Sequence, residues 1–109
     1  MSYSVKSISK FEKHLKKLSK KYPSLKTEYI QLIQILKEYP KQGTPIGRNC
    51  YKIRLSIASK GKGKSGGGRV IINIVMYTKT VYLLSIFDKS DKESLTDKEL
   101  KELLALVPE

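Results

Sequence analysis

Residues 51–77 read YKIRLSIASKGKGKSGGGRVIINIVMY, two apolar runs separated by a basic, glycine-rich insert, SKGKGKSGGGR, at 59–69. The fold turns on whether a helix or a strand comes after that insert. Ala58 through Ser65, ASKGKGKS, satisfies the relaxed phosphate-loop pattern of a small residue, four others, then Gly-Lys-Ser. A working phosphate loop needs a helix that begins at the lysine, so that backbone N–H groups and the helix dipole converge on phosphate. Here Ser65 is followed by three glycines and then a β-branched run, and the chain lacks the alternating βα units of a nucleotide-binding fold. The insert is therefore predicted to be a hairpin connection between neighbouring strands. Its glycines permit positive φ and close backbone approach.

The flanking segments extend this reading. In 51–58, Tyr51, Ile53, Leu55 and Ile57 alternate with Lys52, Arg54, Ser56 and Ala58, giving one core face and one solvent face. Residues 69–77 are apolar on both faces, as a covered central strand requires. Thr78, Lys79 and Thr80 form a short turn into a third strand at 81–87, and such short links favour an antiparallel meander. Upstream, Ser9-Lys10-Phe11-Glu12 matches a capping box. It opens a helix with Phe11, Leu15, Leu18 and Tyr22 at helical spacing, ended by Pro23. Ser24 is predicted to cap a second helix, carrying Leu25, Tyr29, Leu32, Ile33 and Leu36 on one side and stopping before Pro40. The brief link predicts an antiparallel helical hairpin. Pro40, Gly43, Pro45 and Gly47 mark 40–50 as a loop. Thr96-Asp97-Lys98-Glu99 is a second capping box, with Leu95 and Leu100 at staple positions, opening a helix through about Leu106. Tyr3–Ser7 form an optional edge strand. The predicted order is (β)ααβββα in one domain over 1–109. This is an α+β fold with an N-terminal helical hairpin on a small antiparallel sheet of three or four strands, and a C-terminal helix.

Of the 109 residues, 39% are hydrophobic and 29% charged, an ordinary globular balance. The 22 Lys+Arg against 10 Asp+Glu leave a net charge of +12. Such a field concentrates polyanions, which makes nucleic acid the leading partner class. An acidic protein satisfies it equally, and a membrane surface less well. The single Cys50 cannot close an internal disulfide and fits a reducing compartment. MSYSVKSISK lacks the apolar core of a signal peptide, and no apolar run approaches bilayer length. A soluble cytoplasmic protein is expected. His14 and Cys50 lie far apart, so neither metal nor cofactor is expected, and His14 is expected to be exposed.

Lys52 and Arg54 are two apart and project from one strand face. Arg69 opens the next strand, with Asn73 and Tyr77 at its parity. Pairing across the insert lets Lys52, Arg54 and Arg69 share a surface with the loop lysines Lys60, Lys62 and Lys64. Asp88, Lys89 and Lys92 then close the rim. Cations gathered with few acids repel one another unless a polyanion binds among them, although a solvated outer face is the plainer reading. Tyr77 and Tyr82 are expected to pack as strand tyrosines.

CYKIRLSI, the Lys/Gly loop ending SGGGRVI, and VYLLSIFDKSDKESLTDKELKELLAL together resemble the RelE/ParE superfamily, specifically the RelE/HigB-like toxins of type II toxin–antitoxin systems. The likeness spans nearly the whole chain. It implies a toxin that cleaves mRNA in the decoding site of a translating ribosome and is held inactive by a cognate antitoxin. That antitoxin is expected to be acidic and encoded next to the toxin. By position, Lys52 and Arg54 match the family's basic pair on the strand after the helical hairpin, Arg69 matches the arginine that opens the next strand, and Lys89 falls near a basic residue after the last strand, so these four are the expected catalytic residues. RNA brings its own nucleophile, the 2′-hydroxyl, so no metal is required. Arg69 and Arg54 suit charge stabilisation at the phosphate, and Lys89 suits an acid or clamp. Lys60, Lys62, Lys64 and Lys92 suit phosphate binding. Arg69→Ala is expected to abolish toxicity with the fold intact. The family often places a Tyr or another acid–base residue near the last helix. Here Ser90, Asp91, Ser94 and Leu95 stand in that region, so the general base is open. Lys52 is one candidate, if neighbouring cations lower its pKa. A ParE-like gyrase inhibitor and a non-catalytic RNA-binding module are the alternatives.

Overall fold

The run from Val70 to Ile74 offers solvent no face, and it becomes the middle of a five-stranded sheet. The structure, a computed structural model, describes residues 2–61 and 66–108. Its strands are β1 (Ser4–Ser7), β2 (Thr44–Gly47), β3 (Cys50–Leu55), β4 (Gly68–Val75) and β5 (Thr80–Asp88). Its helices are α1 (Ser9–Lys21), α2 (Leu25–Glu38) and α3 (Asp97–Leu104). The sheet order is β1-β5-β4-β3-β2. β4 is buried from Gly68 to Ile74 and β5 from end to end. Val70, Ile71, Ile72, Val81 and Leu84 have no exposed surface. Each such side chain contributes roughly 1.5–3 kcal/mol on burial, so this strand pair anchors the domain.

The α+β class is observed, with two corrections to the sheet. It has five strands and is mixed, because β1 runs parallel to β5 from Ser4↔Thr80 to Ser7↔Leu83. Ser4 N–H donates to the Lys79 carbonyl at 2.9 Å and Tyr3 N–H to the Lys37 carbonyl at 2.7 Å, fixing that direction. The segment 40–50 is a strand and a turn rather than a loop. β2 folds back on β3 through Arg48 and Asn49, both at positive φ (56° and 60°) as a type I′ connection demands. Asn73 holds the turn, its amide donating to the Arg48 and Asn49 carbonyls at 3.2 and 3.3 Å. Pro45 is tolerated because β2 is an edge strand.

Two predicted caps do not form. Ile8 occupies the N-cap of α1 without a side-chain bond, and Glu12 accepts instead from the Ser7 hydroxyl at 2.5 Å. Ser24 precedes α2, but its hydroxyl bonds the Ser59 N–H at 2.9 Å and Glu28 at 3.2 Å. Glu28 also accepts from Ala58 N–H at 2.6 Å. These bonds draw the chain off the sheet, so β3 stops at Leu55 and a 3₁₀ turn occupies Ala58–Lys60, where strand was expected to Ala58. The Thr96–Glu99 capping box is formed in both directions, at 2.8 and 3.1 Å. α3 ends at Leu104, earlier than expected. β4 likewise stops at Val75, which leaves Tyr77 in the turn at 97% exposure, while Tyr82 is buried as expected. Among the described residues, no helix is long and apolar enough to cross a membrane.

Gly43 precedes β2 at φ +83°, and an added Cβ would stand 2.2 Å from the Lys52 carbonyl oxygen. Gly47 has φ +90° but open space around it. Gly43→Ala should therefore lose about 2–3 kcal/mol in urea unfolding, and Gly47→Ala about 1 kcal/mol. Equal losses would show that β2 does not depend on the close approach at Gly43.

Candidate functional site

The β3–β4 ladder sets Arg54 directly across from Arg69 and Lys52 across from Ile71. Residues opposite one another share a sheet face, so Lys52, Arg54 and Arg69 lie together as the strand parity required. Arg69 stands across from Phe87 on β5. Asp88, one residue on, takes the opposite parity and faces the helices. Lys89 comes next and is exposed.

The cationic face already holds an anion. Glu93, in the segment between β5 and α3, accepts from Arg69 Nε at 3.0 Å and from Nη2 at 3.4 Å. Arg69 also donates from Nη1 to the Gly68 carbonyl at 3.0 Å. The Arg69 side chain is 1% exposed and that of Glu93 52%. Lys52 Nζ reaches the Glu93 backbone carbonyl at 3.5 Å. The Arg69 hydrogen bonds hold the Glu93 carboxyl below its usual range, and the charges of Lys52 and Lys89 add to that. A cluster expected to hold few acids thus has one bonded directly to Arg69. Arg54 is exposed. With Lys52 it borders an open groove against α2, alongside Glu28, Gln31 and Ile35.

The remaining basic residues divide. Lys60 turns inward, its side chain 8% exposed, and forms an ion pair with Asp88. It also donates to Ser90 Oγ at 3.0 Å and the Gly67 carbonyl at 3.2 Å. Asp88 accepts from the Tyr22 hydroxyl at 2.5 Å and from Ser90 N–H at 2.9 Å. Burial pushes the Asp88 carboxyl up, but the bonds from Lys60, Tyr22 and Ser90 outweigh it and hold it well below the usual range. Lys92 donates to Glu99 at 2.9 Å and lies 5.5 Å from the Phe87 ring centre. Lys62 and Lys64 lie outside the described residues. Among the described residues, no group of three or more His, Cys, Asp or Glu could hold a metal.

Glu93, Asp88 and Tyr22 are the site residues that sequence reading passed over. Tyr22 looked like one more apolar position of α1, and Asp88 like part of a solvated rim. Glu93 sits in a run of alternating charges, SDKESLTDKE, where no spacing marks which acid turns back over the sheet. A usable signal was the crowding of cations itself, which calls for a counter-ion.

The family described as the RelE toxin of the RelE/RelB toxin–antitoxin system matches residues 12–108. The chain belongs to that family. Among solved structures, a free mutant form of the E. coli toxin RelE superposes with a TM-score of 0.64 at 17% identity, covering 99% of this chain and all of that one. The RelBE2 toxin–antitoxin complex from Mycobacterium tuberculosis gives 0.59 at 18% identity, covering 81% of this chain and 92% of that one. E. coli RelE bound to a peptide of the antitoxin RelB gives 0.53 at 18%, covering 94% of each chain. At these identities the likeness carries the fold.

Asp88 is charged and held low in the folded state, against about 3.9 when unfolded. It therefore contributes stability above about pH 4, which is lost as pH falls further. Asp88→Asn should remove that acid dependence. At pH 7 it should cost about 3 kcal/mol, because Lys60 is left buried without its counter-charge. Urea midpoints measured between neutral and acidic pH test both; parallel profiles for the two proteins would refute the ion-pair account.

Proposed function

We propose that the chain is the toxin of a toxin–antitoxin pair, acting in the cytoplasm to block translation by cutting mRNA, in a ribosome-dependent reaction. The observation that carries this reading is the register of β3 and β4, which gathers Lys52, Arg54 and Arg69 on one sheet face beside Lys89. Membership of the RelE toxin family supports it. RNA can attack its own phosphate through the 2′-hydroxyl, so such an enzyme has to orient that attack and stabilise the charge that develops on the phosphoryl oxygens. Arg54, which is exposed, suits that task because a guanidinium presents two parallel donors to phosphate, while Arg69, whose Nε and Nη2 bond Glu93, contributes its charge from beneath. Lys52 and Lys89 both act on the Glu93 carboxyl by their charge, and are proposed to supply positive charge to the reacting oxygens. Lys60, Lys62, Lys64 and Lys92 are proposed to guide the polyanion. For Lys60 that contribution passes through its bond to Asp88, which fixes the base of the loop.

An antitoxin partner is supported by the fold's likeness to toxins solved in antitoxin complexes. Its expected chemistry is acidic, given the net charge of +12.

Arg69 is part of the core, so Arg69→Ala removes packing as well as charge, and an intact fold is no longer the expectation for it. The cleaner test is Arg54→Ala, at an exposed position. It should reduce ribosome-dependent mRNA cleavage about 100-fold with an unchanged melting temperature. Mapping of mRNA 5′ ends after induced expression reads the same loss in cells. Inhibition of gyrase supercoiling by the wild type, with mRNA left intact, would move the protein to the gyrase-directed class.

A further inference from the structure

We propose that Glu93 is the general base of the reaction: its carboxylate, chelating Arg69 on the cationic face, receives the 2′-hydroxyl proton. This rests on the reading of the chain as a ribonuclease and supplies the group that reading leaves open.

Exposure separates the two partners. The Arg69 side chain is 1% exposed and that of Glu93 52%, so an incoming substrate meets Glu93 from the solvent side. The pair is asymmetric as well. Glu93 Oε2 is held at 3.0 Å, whereas Oε1 is 3.4 Å from its donor. A carboxylate oxygen has two lone pairs, and guanidinium bonds leave acceptor capacity on the outer edge. Glu93 can therefore accept a hydroxyl proton without first abandoning Arg69. The phosphate that this hydroxyl attacks is drawn to the same spot by Arg54, directly across the ladder from Arg69, and by Lys89.

The electrostatics suit the role. Arg69, Lys52 and Lys89 are the charged groups that face Glu93 and lower its pKa, so it is ionised at neutral pH and ready to accept. A bound phosphate dianion or diester cancels part of that field, and the carboxylate gains proton affinity as substrate arrives. A base has to be deprotonated before it acts, and the Glu93 carboxylate already is. With Glu93 as base, Lys52 stays an ammonium and stabilises the phosphorane.

Each bond and proton in the step is accounted for. The 2′-oxygen forms a bond to phosphorus while its proton passes to Glu93. The bond from phosphorus to the 5′-oxygen breaks, and that oxygen takes a proton from the Lys89 ammonium. The ends produced are a 2′,3′-cyclic phosphate and a 5′-hydroxyl, and exchange with water restores both side chains.

The test is single-turnover cleavage of mRNA on programmed ribosomes by wild type, Glu93→Gln and Glu93→Asp, across a pH series. Glu93→Gln should cut at least about 100-fold more slowly at saturation, bind the ribosome–mRNA complex at least as tightly, and lose the acid limb of the pH–rate profile. Glu93→Asp should recover part of the rate and retain that limb. Melting temperatures of both variants serve as the control for folding, as the side chain is half exposed. A Gln variant that cuts as fast as wild type, or faster, overturns the proposal and makes Glu93 a counter-ion displaced by phosphate. Equal loss in Gln and Asp variants, accompanied by loss of binding, also overturns it. Wild-type protein that cuts no RNA overturns the ribonuclease reading itself, and this assignment with it.

Discussion

Two arginines stand directly opposite one another on adjacent strands, Arg54 on β3 and Arg69 on β4. Like charges in that relation are destabilising, and the rest of the site can be understood as the management of that repulsion. Arg69 is sunk into the structure and given a carboxylate, Glu93, and a carbonyl, that of Gly68. Arg54 is left in water, where solvent screens it. The consequence is a buried, fixed guanidinium beside an exposed, mobile one. The first keeps its geometry whether or not an anion is present, and the second can close on the anion when it comes. Preorganisation of this kind lowers the cost of ordering groups around a phosphate.

A second ion pair does the same for the loop. Lys60 and Asp88 join the end of the first hairpin strand's extension to the end of β5, and Tyr22 adds the junction of α1 and α2. Three chain segments distant in sequence therefore meet at one carboxylate. The Ser24, Glu28 and Ser59 bonds pin the same corner from the other side. This corner lies at the strand ends where Arg54, Arg69 and Lys89 collect, so the platform under the cationic face is tied to the helices rather than to the sheet alone. A change in Asp88 thus reaches the site through backbone position, with no contact to substrate needed.

How much of this was legible depended on the range of the interactions. Lys52, Arg54 and Arg69 could be placed on one face because strand parity is a local rule, and the central strand announced itself by being apolar on both sides. The sheet edges did not. β2 depends on Gly43 passing against the Lys52 carbonyl and on two positive-φ residues that are neither Gly nor an Asn-Gly pair. β1 depends on parallel pairing across most of the chain's length. The cap expected at Ser24 failed for a similar reason. Ser24 is a sound capping residue by type, but the chain returning from β3 offered its hydroxyl a better partner. The Thr96–Glu99 box has no such competitor and formed as read. Glu93 was hidden for a related reason, since choosing among closely spaced acids needs the path of the segment over the sheet.

The distribution of charge separates capture from chemistry. Six of the ten acids fall within residues 88–102, and most of them pair with particular cations in or near the site: Asp88 with Lys60, Glu93 with Arg69, Asp97 with Arg48 and Lys101, Glu99 with Lys92. Within 88–102 six acids stand against four lysines, which offsets part of the charge of the cationic face. A large share of the excess resides on α1, where Lys10, Lys13, Lys16, Lys17, Lys20 and Lys21 are exposed with Glu12 as the acid in the helix. A field of that origin attracts any polyanion at long range and is weakened by salt. The site discriminates at short range, because an anion gains a place there only where it can bond Arg54 and Lys89 beside the carboxylate that Arg69 already holds. Attraction without such a filter would hold every nucleic acid alike. Fixing the buried arginine with its own carboxylate is what allows a strongly basic chain to be selective.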